Sequence, residues 1–239
     1  MRGIRHAVKL TLTMAGLAVM MGCTGAAPNR SPEEWLSLSY SGLAAMDQYS
    51  FAGSMQIGMG EGVMLRPKMF EGNVVNHHQL TIQSEHQDPL YWNPVEVLKA
   101  LNQSYETVEM LPLNEGEASN KEIIAIRVKE KEAASKKRWS SALRREMEQL
   151  TGGIEQGNHP SMTKRMELLA QANKELDDML STLNVVTEYD ITIDRQRMLP
   201  LKMEERTLFD YTRKNRPIRE NRQTTVRFEA FDGASVPVQ

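Results

Sequence analysis

Adjacent histidines at positions 77 and 78 are the ionisable pair whose residue types best suit metal binding. They fall in the segment 68–84, whose alternating apolar residues predict one long β-strand. Neighbouring residues of a strand point to opposite faces, so His77 and His78 cannot both bind one metal ion. His78 could join Glu85 or His86 only through a turn. We therefore expect solvated or core histidines and predict no metal site.

Two carboxylate pairs have residue types suited to acid–base chemistry. Asp190 and Asp194 share the strand face opposite to the apolar residues of their segment, which predicts that they face solvent, and proton transfer would require a cleft. Glu204 and Glu205 point to opposite faces, and we interpret both as solubilising residues. The sequence has no G-x-S-x-G motif, no H-E-x-x-H motif and no phosphate-binding glycine loop. These patterns predict a protein that is not an enzyme and needs no cofactor.

Two segments are rich in lysine and arginine. Residues 213–222, RKNRPIRENR, are interpreted as an exposed loop between two strands, and residues 129–146 carry a basic polar face on a helix. The alternative for both segments is contact with anionic lipid head groups, which attract clustered basic residues near a membrane surface.

The single cysteine, Cys23, follows a basic stretch and an uncharged apolar run that ends in Gly22. This pattern is typical of a secretory signal, and the run is too short to span a bilayer. A cysteine directly after the cut resembles the lipobox of bacterial lipoproteins. The resemblance implies that Cys23 carries a diacylglycerol that anchors the mature chain to a membrane. The alternative is an ordinary signal peptide with a chance cysteine.

Composition limits the classes of partner and the chemistry. The 239-residue chain has a formal net charge of −2, and removal of residues 1–22 would make it more acidic, so nucleic acid is not expected as a partner. With Cys23 lipidated, no thiol remains for a disulfide, a zinc site or a nucleophile. The many methionines suit adaptable apolar surfaces.

The first elements are predicted from caps and periodicity. Ser31, followed by a proline and two glutamates, is typical of a helix start, and this helix is expected to run to about Met46. Residues 49–59 alternate with period two, which predicts a half-buried strand. A second, short helix is predicted over 93–104 from a capping asparagine and the proline after it.

Between residues 131 and 183 the pattern changes to two helices. The first has an apolar stripe through Trp139 and Leu143. The second has a heptad seam, formed by Met162, Met166, Leu169, Asn173, Leu176, Leu180 and Leu183. Residues 131–183 are therefore predicted to be an antiparallel helical hairpin inserted into the sheet.

The remaining strand patterns complete the predicted fold. They lie at 105–113, 122–129, 184–195, 199–212 and 223–231. Alternating strands joined by short turns predict an α+β fold with one antiparallel sheet of roughly seven strands and helices over its apolar face. The predicted organisation is a signal peptide over 1–22, a lipidated tether over 23–31, one domain over 32–232 and a flexible tail over 233–239.

This layout resembles the lipoprotein-carrier superfamily that includes LolA, LolB and the LppX- and LprG-type lipoproteins. The resemblance rests on the lipidated cysteine, the first helix, the phrase YSFAGSMQIG and the NPVEVLKALN helix after two strands, and it covers most of residues 33–231. It implies a curved antiparallel half-barrel with helices on the concave side and an acyl-chain cavity between them. Another branch of the same fold contains envelope and spore-germination lipoproteins, some without a demonstrated lipid cargo.

Two functions remain open from the sequence. In the first, a lipoprotein on the extracytoplasmic face of the cell membrane binds a lipid or a lipidated molecule. Its apolar cavity would be lined by Phe51, Met55, Ile57, Met203 and Phe209. In the second, these residues are a packed core, and the helical hairpin or the basic loop docks a protein partner.

Overall fold

A computed structural model describes residues 30–60, 63–84, 93–113, 122–152 and 161–236. Ser31–Gln239 is one compact unit, which contains two apolar cores. The signal peptide, Cys23 and most of the tether lie outside the described residues, as do Glu85 and His86. Among the described residues, no helix combines the length and apolarity that crossing a bilayer requires.

The described residues form four helices, which begin where local signals predict. Helix α1, Pro32–Ala45, starts with a capping box in which Ser31 and Glu34 bond each other's backbone N–H groups. Helix α2, Pro94–Ser104, is capped by Asn93, whose side chain accepts from the Val95 N–H. Helices α3, Glu132–Gly152, and α4, Ser161–Thr182, form the predicted hairpin between strands β6 and β7.

Ten strands of the described chain form one antiparallel sheet. They are β1 Tyr49–Met59, β2 Val63–Met64, β3 Lys68–Val75, β4 Gln79–Ser84, β5 Tyr105–Leu111, β6 Ile123–Glu130, β7 Asn184–Asp194, β8 Leu199–Arg213, β9 Arg216–Phe231 and β10 Ala234–Ser235. The main order is β4-β3-β1-β9-β8-β7-β6-β5, while β2 pairs with β1 and β10 pairs with β9. The sheet does not close, so the predicted fold class is confirmed: an α+β half-barrel with helices on its concave side and an inserted helical hairpin.

Two tight turns correct the sequence interpretation. The predicted strand 68–84 is two strands, because Asn76 and His77 adopt positive φ angles of 51° and 64° and reverse the chain. The predicted basic loop 213–222 is a β-hairpin, because only Lys214 and Asn215, with φ angles of 49° and 61°, separate β8 from β9. Residues 216–222 therefore belong to a strand, and alternate residues among them face the helices.

A short strand lies within the segment 233–239, which was predicted to be a flexible tail. Ala234–Ser235 forms the short strand β10, which pairs with Ala230 and Phe231 of β9. Together with β2 and the split of segment 68–84, β10 accounts for ten strands where roughly seven were predicted.

Buried apolar side chains of the described residues form two cores on one sheet face, which we call the concave face. The first core joins α1 and α2 to the sheet through Leu36, Leu43, Leu98, Leu101, Phe51, Ile126, Ile191, Met203, Val226 and Phe228. The second core joins α3 and α4 to β7 and β8 through Trp139, Leu180, Leu183 and Val185, with Phe209 packed against them. The opposite sheet face is called the outer face below.

Two glycines allow aromatic rings to lie flat across neighbouring strands of the first core. Phe51 of β1 is paired in register with Gly72 of β3, and Gly53 is paired with Phe70. A Cβ atom at Gly72 would collide with the Phe51 ring, and one at Gly53 would collide with the Phe70 ring. The glycines are therefore needed for close approach of the rings.

The helical hairpin is antiparallel, but the described part of its predicted seam is buried only at one end. Trp139 of α3 shares a core with Leu180 of α4, and Arg144 is bonded to Asp177 at 2.6 Å. Met166, near the start of α4, is 61% exposed. The heptad spacing predicted the helix face correctly, while the sheet covers only the end of α4 that lies next to β7.

On the outer face, Asp190 of β7 binds two arginines. Arg127 donates to both carboxylate oxygens at 2.8 and 2.9 Å, and Arg206 donates at 2.6 Å. Partial burial alone would raise the pKa of Asp190, but these hydrogen bonds and charges outweigh it and hold the pKa below its ordinary value.

We expect Asp190→Asn to lower the free energy of unfolding by about 1–2 kcal/mol at neutral pH, because charged hydrogen bonds are lost. A depressed folded pKa stabilises the fold above the unfolded value of about 3.9, and this stabilisation is lost as the pH falls through the folded pKa. Urea unfolding from pH 7 to pH 3 should show the variant and the wild type converging at low pH. Asp210→Asn, which removes an exposed pair with Arg219, is the matched control. A difference for Asp190→Asn that does not change with pH would contradict this account.

Candidate ligand-binding site on the concave face

A band of polar side chains crosses the concave face between the two apolar cores. We call it the polar belt. Its strand residues follow the sheet register: Tyr189, Glu205 and Thr224 pair in one row, and Thr187, Thr207 and Arg222 pair in the next. Glu130 from the end of β6 and Ser135 and Arg138 from α3 complete it. Strand alternation places these residues on the same face as the cores.

Hydroxyl groups connect α3 to Glu205 through the polar belt. Thr207 Oγ1 donates to Glu205 Oε1 at 2.9 Å, and Thr187 Oγ1 lies 3.1 Å from Thr207 Oγ1. Ser135 Oγ lies 2.6 Å from Thr187 Oγ1. Because a carboxylate only accepts, the chain of donors runs from Ser135 through both threonines to Glu205.

Arg138 provides the positive charge beside two buried carboxylates. Its Nη2 lies 2.8 Å from Glu130 Oε2 and 3.9 Å from Glu205 Oε1, and both glutamates are 1% exposed. Burial alone would lower the pKa of Arg138, but the hydrogen bond and charge of Glu130 and the charge of Glu205 raise it above its ordinary value. Burial raises the pKa of Tyr189 well above its ordinary value, so its phenol stays protonated at neutral pH.

Arg222 is the second cation of the polar belt, and it is 7% exposed. Its Nε donates to Thr224 Oγ1 at 3.2 Å, and its Cζ lies 4.7 Å from the centroid of the Trp139 ring. Burial lowers its pKa from the ordinary arginine value. An arginine nevertheless remains charged at neutral pH.

Trp139 links the polar belt to the second core. Its ring packs edge-on against Phe209, with 4.9 Å between centroids. Its indole Nε1 is buried and has no hydrogen-bond partner among the residues that the structure describes. A buried donor without an acceptor carries a desolvation cost, so this atom marks a place where a ligand acceptor would be stabilising.

The five predicted cavity-wall residues all lie on strands of the concave face, but they separate into two environments. Phe51 and Met203 have no exposed surface and belong to the first core. Phe209 packs on Trp139 in the second core. Met55 is the register partner of Thr224, and Ile57 is the partner of Arg222. Met55, Ile57 and Phe209 therefore lie around the polar belt.

Sequence reasoning missed the charged members of the polar belt. Glu205 was interpreted as solubilising, which is wrong because the helices bury it. Arg222 was placed in an exposed loop, which is also wrong. A signal was present: Glu205 shares the strand parity of Met203 and Phe209, and Arg222 shares that of Val226.

A groove of about 600 Å³ lies on the outer face of the sheet. Its lining mixes apolar side chains such as Met69 and Leu201 with Lys202 and Arg227. None of the five predicted wall residues lines this groove.

The other residues considered for chemistry lie elsewhere. His77 is in the β3–β4 turn, where its Nδ1 lies 3.0 Å from the Met46 carbonyl oxygen and its Nε2 3.5 Å from Asp47. Asp194 accepts from the backbone N–H groups of Gln196 and Arg197 in the turn after β7. Over the described ranges, no cluster of three or more histidine, cysteine, aspartate or glutamate side chains could hold a metal ion.

Comparison with known proteins does not assign a family. No protein-family model matches the chain, and no curated protein matches it. Among solved structures, one similar chain is described as lipid-protein interactions in lipovitellin, with a TM-score of 0.31 and 9% identity. The match covers 80% of this chain and 26% of that chain, so this protein spans about a quarter of the lipovitellin chain. Similarity this low carries no argument about fold or function.

Proposed function

We propose that the protein is a non-enzymatic, exported lipoprotein, anchored through Cys23 at the extracytoplasmic face of the cell membrane, that binds a lipid or a lipidated molecule on its concave face. The observation that carries the proposal is that hydrogen-bond donors and apolar side chains lie side by side around α3. Hydrogen-bond donors of Arg222 and Trp139 lie beside the apolar side chains of Met55, Ile57 and Phe209. An amphipathic ligand needs both kinds of surface.

The first core is not the proposed site. Phe51 and Met203 are completely buried under α1 and α2, and an acyl chain there would have to displace packed side chains. The proposed path instead follows Met55 and Ile57 along β1 toward the polar belt. Each buried CH₂ group would contribute about 0.8 kcal/mol to binding.

The hairpin of α3 and α4 is the element proposed to move when a ligand enters. An ion pair of Arg144 with Asp177 joins the two helices, and both side chains are more than half exposed. Exposed pairs contribute little to stability, so this pair offers little resistance to a displacement of one helix relative to the other.

A second candidate function, docking of a protein partner through the hairpin, is favoured by one observation. Met166 and Leu168 on α4 are 61% and 59% exposed, although both are large apolar side chains. The two residues are two positions apart and point to different sides of the helix, so each offers separate apolar surface to a partner. In this alternative, the concave face holds no ligand.

Native mass spectrometry of residues 24–239, purified without detergent, tests the proposal. We expect a reproducible adduct of lipid mass that organic extraction removes. Ile57→Glu should abolish the adduct, because a charge would lie in the apolar path beside Arg222. Met69→Glu, a matched change on the outer face, should retain it. A clean protein mass after incubation with membrane lipids would contradict lipid binding and favour the protein partner, and loss of the adduct only in Met69→Glu would move the site to the outer groove.

A further inference from the structure

We infer that Arg222 and Trp139 form the binding site for the anionic head group of the ligand, so that the protein selects amphiphiles ending in a carboxylate or a phosphate. This inference rests on the proposed function and names the class of ligand that the same site would take. Its basis is two sets of donors at the polar belt, the terminal N–H groups of Arg222 and the indole N–H of Trp139, for which the described residues show no hydrogen-bond acceptor.

Arg222 makes few hydrogen bonds for a buried guanidinium. A guanidinium has five N–H donors, and within the described residues Arg222 uses only Nε, which donates to Thr224. The side chain is only 7% exposed, yet its terminal nitrogens are not among the fully enclosed atoms that lack a partner, so a ligand can reach them. A planar pair of donors on a buried cation matches the two oxygens of a carboxylate or a phosphate.

The indole of Trp139 supplies a second unpaired donor in the same place. Its Nε1 has no partner in the described part of the chain, and the Arg222 Cζ atom lies over its ring, 4.7 Å from the centroid. An acceptor bound at this point would satisfy donors on both side chains. A cation or a further donor would satisfy neither of them.

The two buried carboxylates have other hydrogen-bond partners. Glu130 is bonded to Arg138 on the side of α3, and Glu205 accepts from Thr207. Glu205 and Glu146 act on Arg222 through their charge, and Arg138 opposes them. With Arg138 engaged by Glu130, Arg222 is the cation of the polar belt whose terminal N–H groups can still bind an anion.

The surroundings favour an amphiphile over a free anion. Ile57 is the register partner of Arg222, Met55 is that of Thr224, and Phe209 packs on Trp139. An acyl chain attached to the bound head group would therefore contact these apolar side chains directly next to the head group. Inorganic phosphate or acetate would gain the charged hydrogen bonds but none of this contact.

Matched ligands test the inference by titration against residues 24–239. Palmitoyl lysophosphatidic acid is compared with monopalmitoylglycerol, which lacks only the phosphate, and palmitate is compared with its methyl ester. We expect each anionic ligand to bind about tenfold or more tightly than its neutral partner. Inorganic phosphate and acetate should bind at least about a hundredfold more weakly than the ligands that carry a chain.

Variants of the site identify the residues responsible. Arg222→Met should remove the preference for the anionic ligand and leave binding of the neutral ligand. Trp139→Phe, which keeps an aromatic ring and deletes the N–H group, should reduce the preference about threefold. Arg219→Met on the same strand, where the side chain is exposed and paired with Asp210, is the control and should bind as the wild type does. Circular dichroism and thermal unfolding confirm that each variant is folded.

The outcomes separate this inference from the proposed function. Equal affinity of the wild type for anionic and neutral ligands would overturn the anionic site while lipid binding stands. A preference that survives both Arg222→Met and Trp139→Phe would also overturn it. If free phosphate bound as tightly as lysophosphatidic acid, the site would be a simple anion site. That result would overturn the inference that the ligand is an amphiphile. Failure of every chain-bearing ligand to bind would overturn both proposals.

Discussion

Replacing Arg138 by methionine is expected to lower the free energy of unfolding by about 3–5 kcal/mol. Methionine retains much of the length of the side chain, so packing of α3 changes little. The cost arises because Glu130 and Glu205, both 1% exposed, would lose the guanidinium beside them. A buried carboxylate without a counter-charge is costly, since neither water nor a cation compensates for its desolvation. Urea unfolding at neutral pH measures the change.

The same helix offers a matched control. Arg144→Met removes an arginine whose pair with Asp177 is exposed, and we expect a loss of no more than about 0.5 kcal/mol. Adding Glu130→Gln to Arg138→Met should recover part of the larger loss, because one uncompensated charge is removed. Equal and small effects of Arg138→Met and Arg144→Met would show that the buried pair is not stabilised as the geometry indicates.

Phe51→Ala is expected to destabilise the fold by a similar amount, about 3–5 kcal/mol. The Phe51 ring has no exposed surface, lies over Gly72 and packs near Phe70 and Phe228. Its removal would leave a void among side chains that are held by two helices and the sheet, and those side chains can collapse only partly. Chemical denaturation of the variant and the wild type provides the comparison.

Ile57→Ala tests whether the predicted wall residues differ as their environments indicate. Ile57 lies on the same strand and face as Phe51 but is only half-buried, and we expect a loss of about 1 kcal/mol. A loss for Phe51→Ala as small as this would mean that Phe51 borders an open cavity, contrary to its packing. A large loss for Phe51→Ala and a small one for Ile57→Ala would mean that Phe51 is part of the packed core, whereas the Ile57 side chain is accessible to a ligand.

Both predictions bear on how the concave face works. Arg138 balances the buried carboxylates, while Arg222 retains terminal donors that a ligand could use. If the first result holds, the polar belt is a stable part of the fold even without ligand. Binding would then add an acceptor to an existing site.

Local signals in the sequence determined the elements of this protein. Ser31 and Asn93 begin helices because their side chains accept from N–H groups that the first helical turn leaves unpaired. The alternation in 49–59 and 184–194 placed Phe51 and Ile191 on the apolar face because side chains of a strand alternate with period two. These effects involve residues a few positions apart, so the sequence shows them directly.

Local signals were weaker at turns. The split of segment 68–84 depends on positive φ angles at Asn76 and His77, which asparagine tolerates but which the surrounding strand pattern concealed. The hairpin at Lys214 and Asn215 was hidden by the surrounding basic residues, which suggested a solvated loop. In both places the pairing of neighbouring strands fixed the turn.

Only the tertiary structure decided what covers each face. Parity placed Glu205 with Met203 and Phe209, but it could not show that α3 would bring Arg138 over it. The separation of Phe51 and Met203 from Met55, Ile57 and Phe209 likewise depends on where α1 and α3 lie along the sheet. Burial is set by residues distant in the chain, and periodicity within one segment carries no information about them. The sequence therefore determined which side chains share a face, and the packing of helices on the sheet decided which of them form a core and which form a polar site.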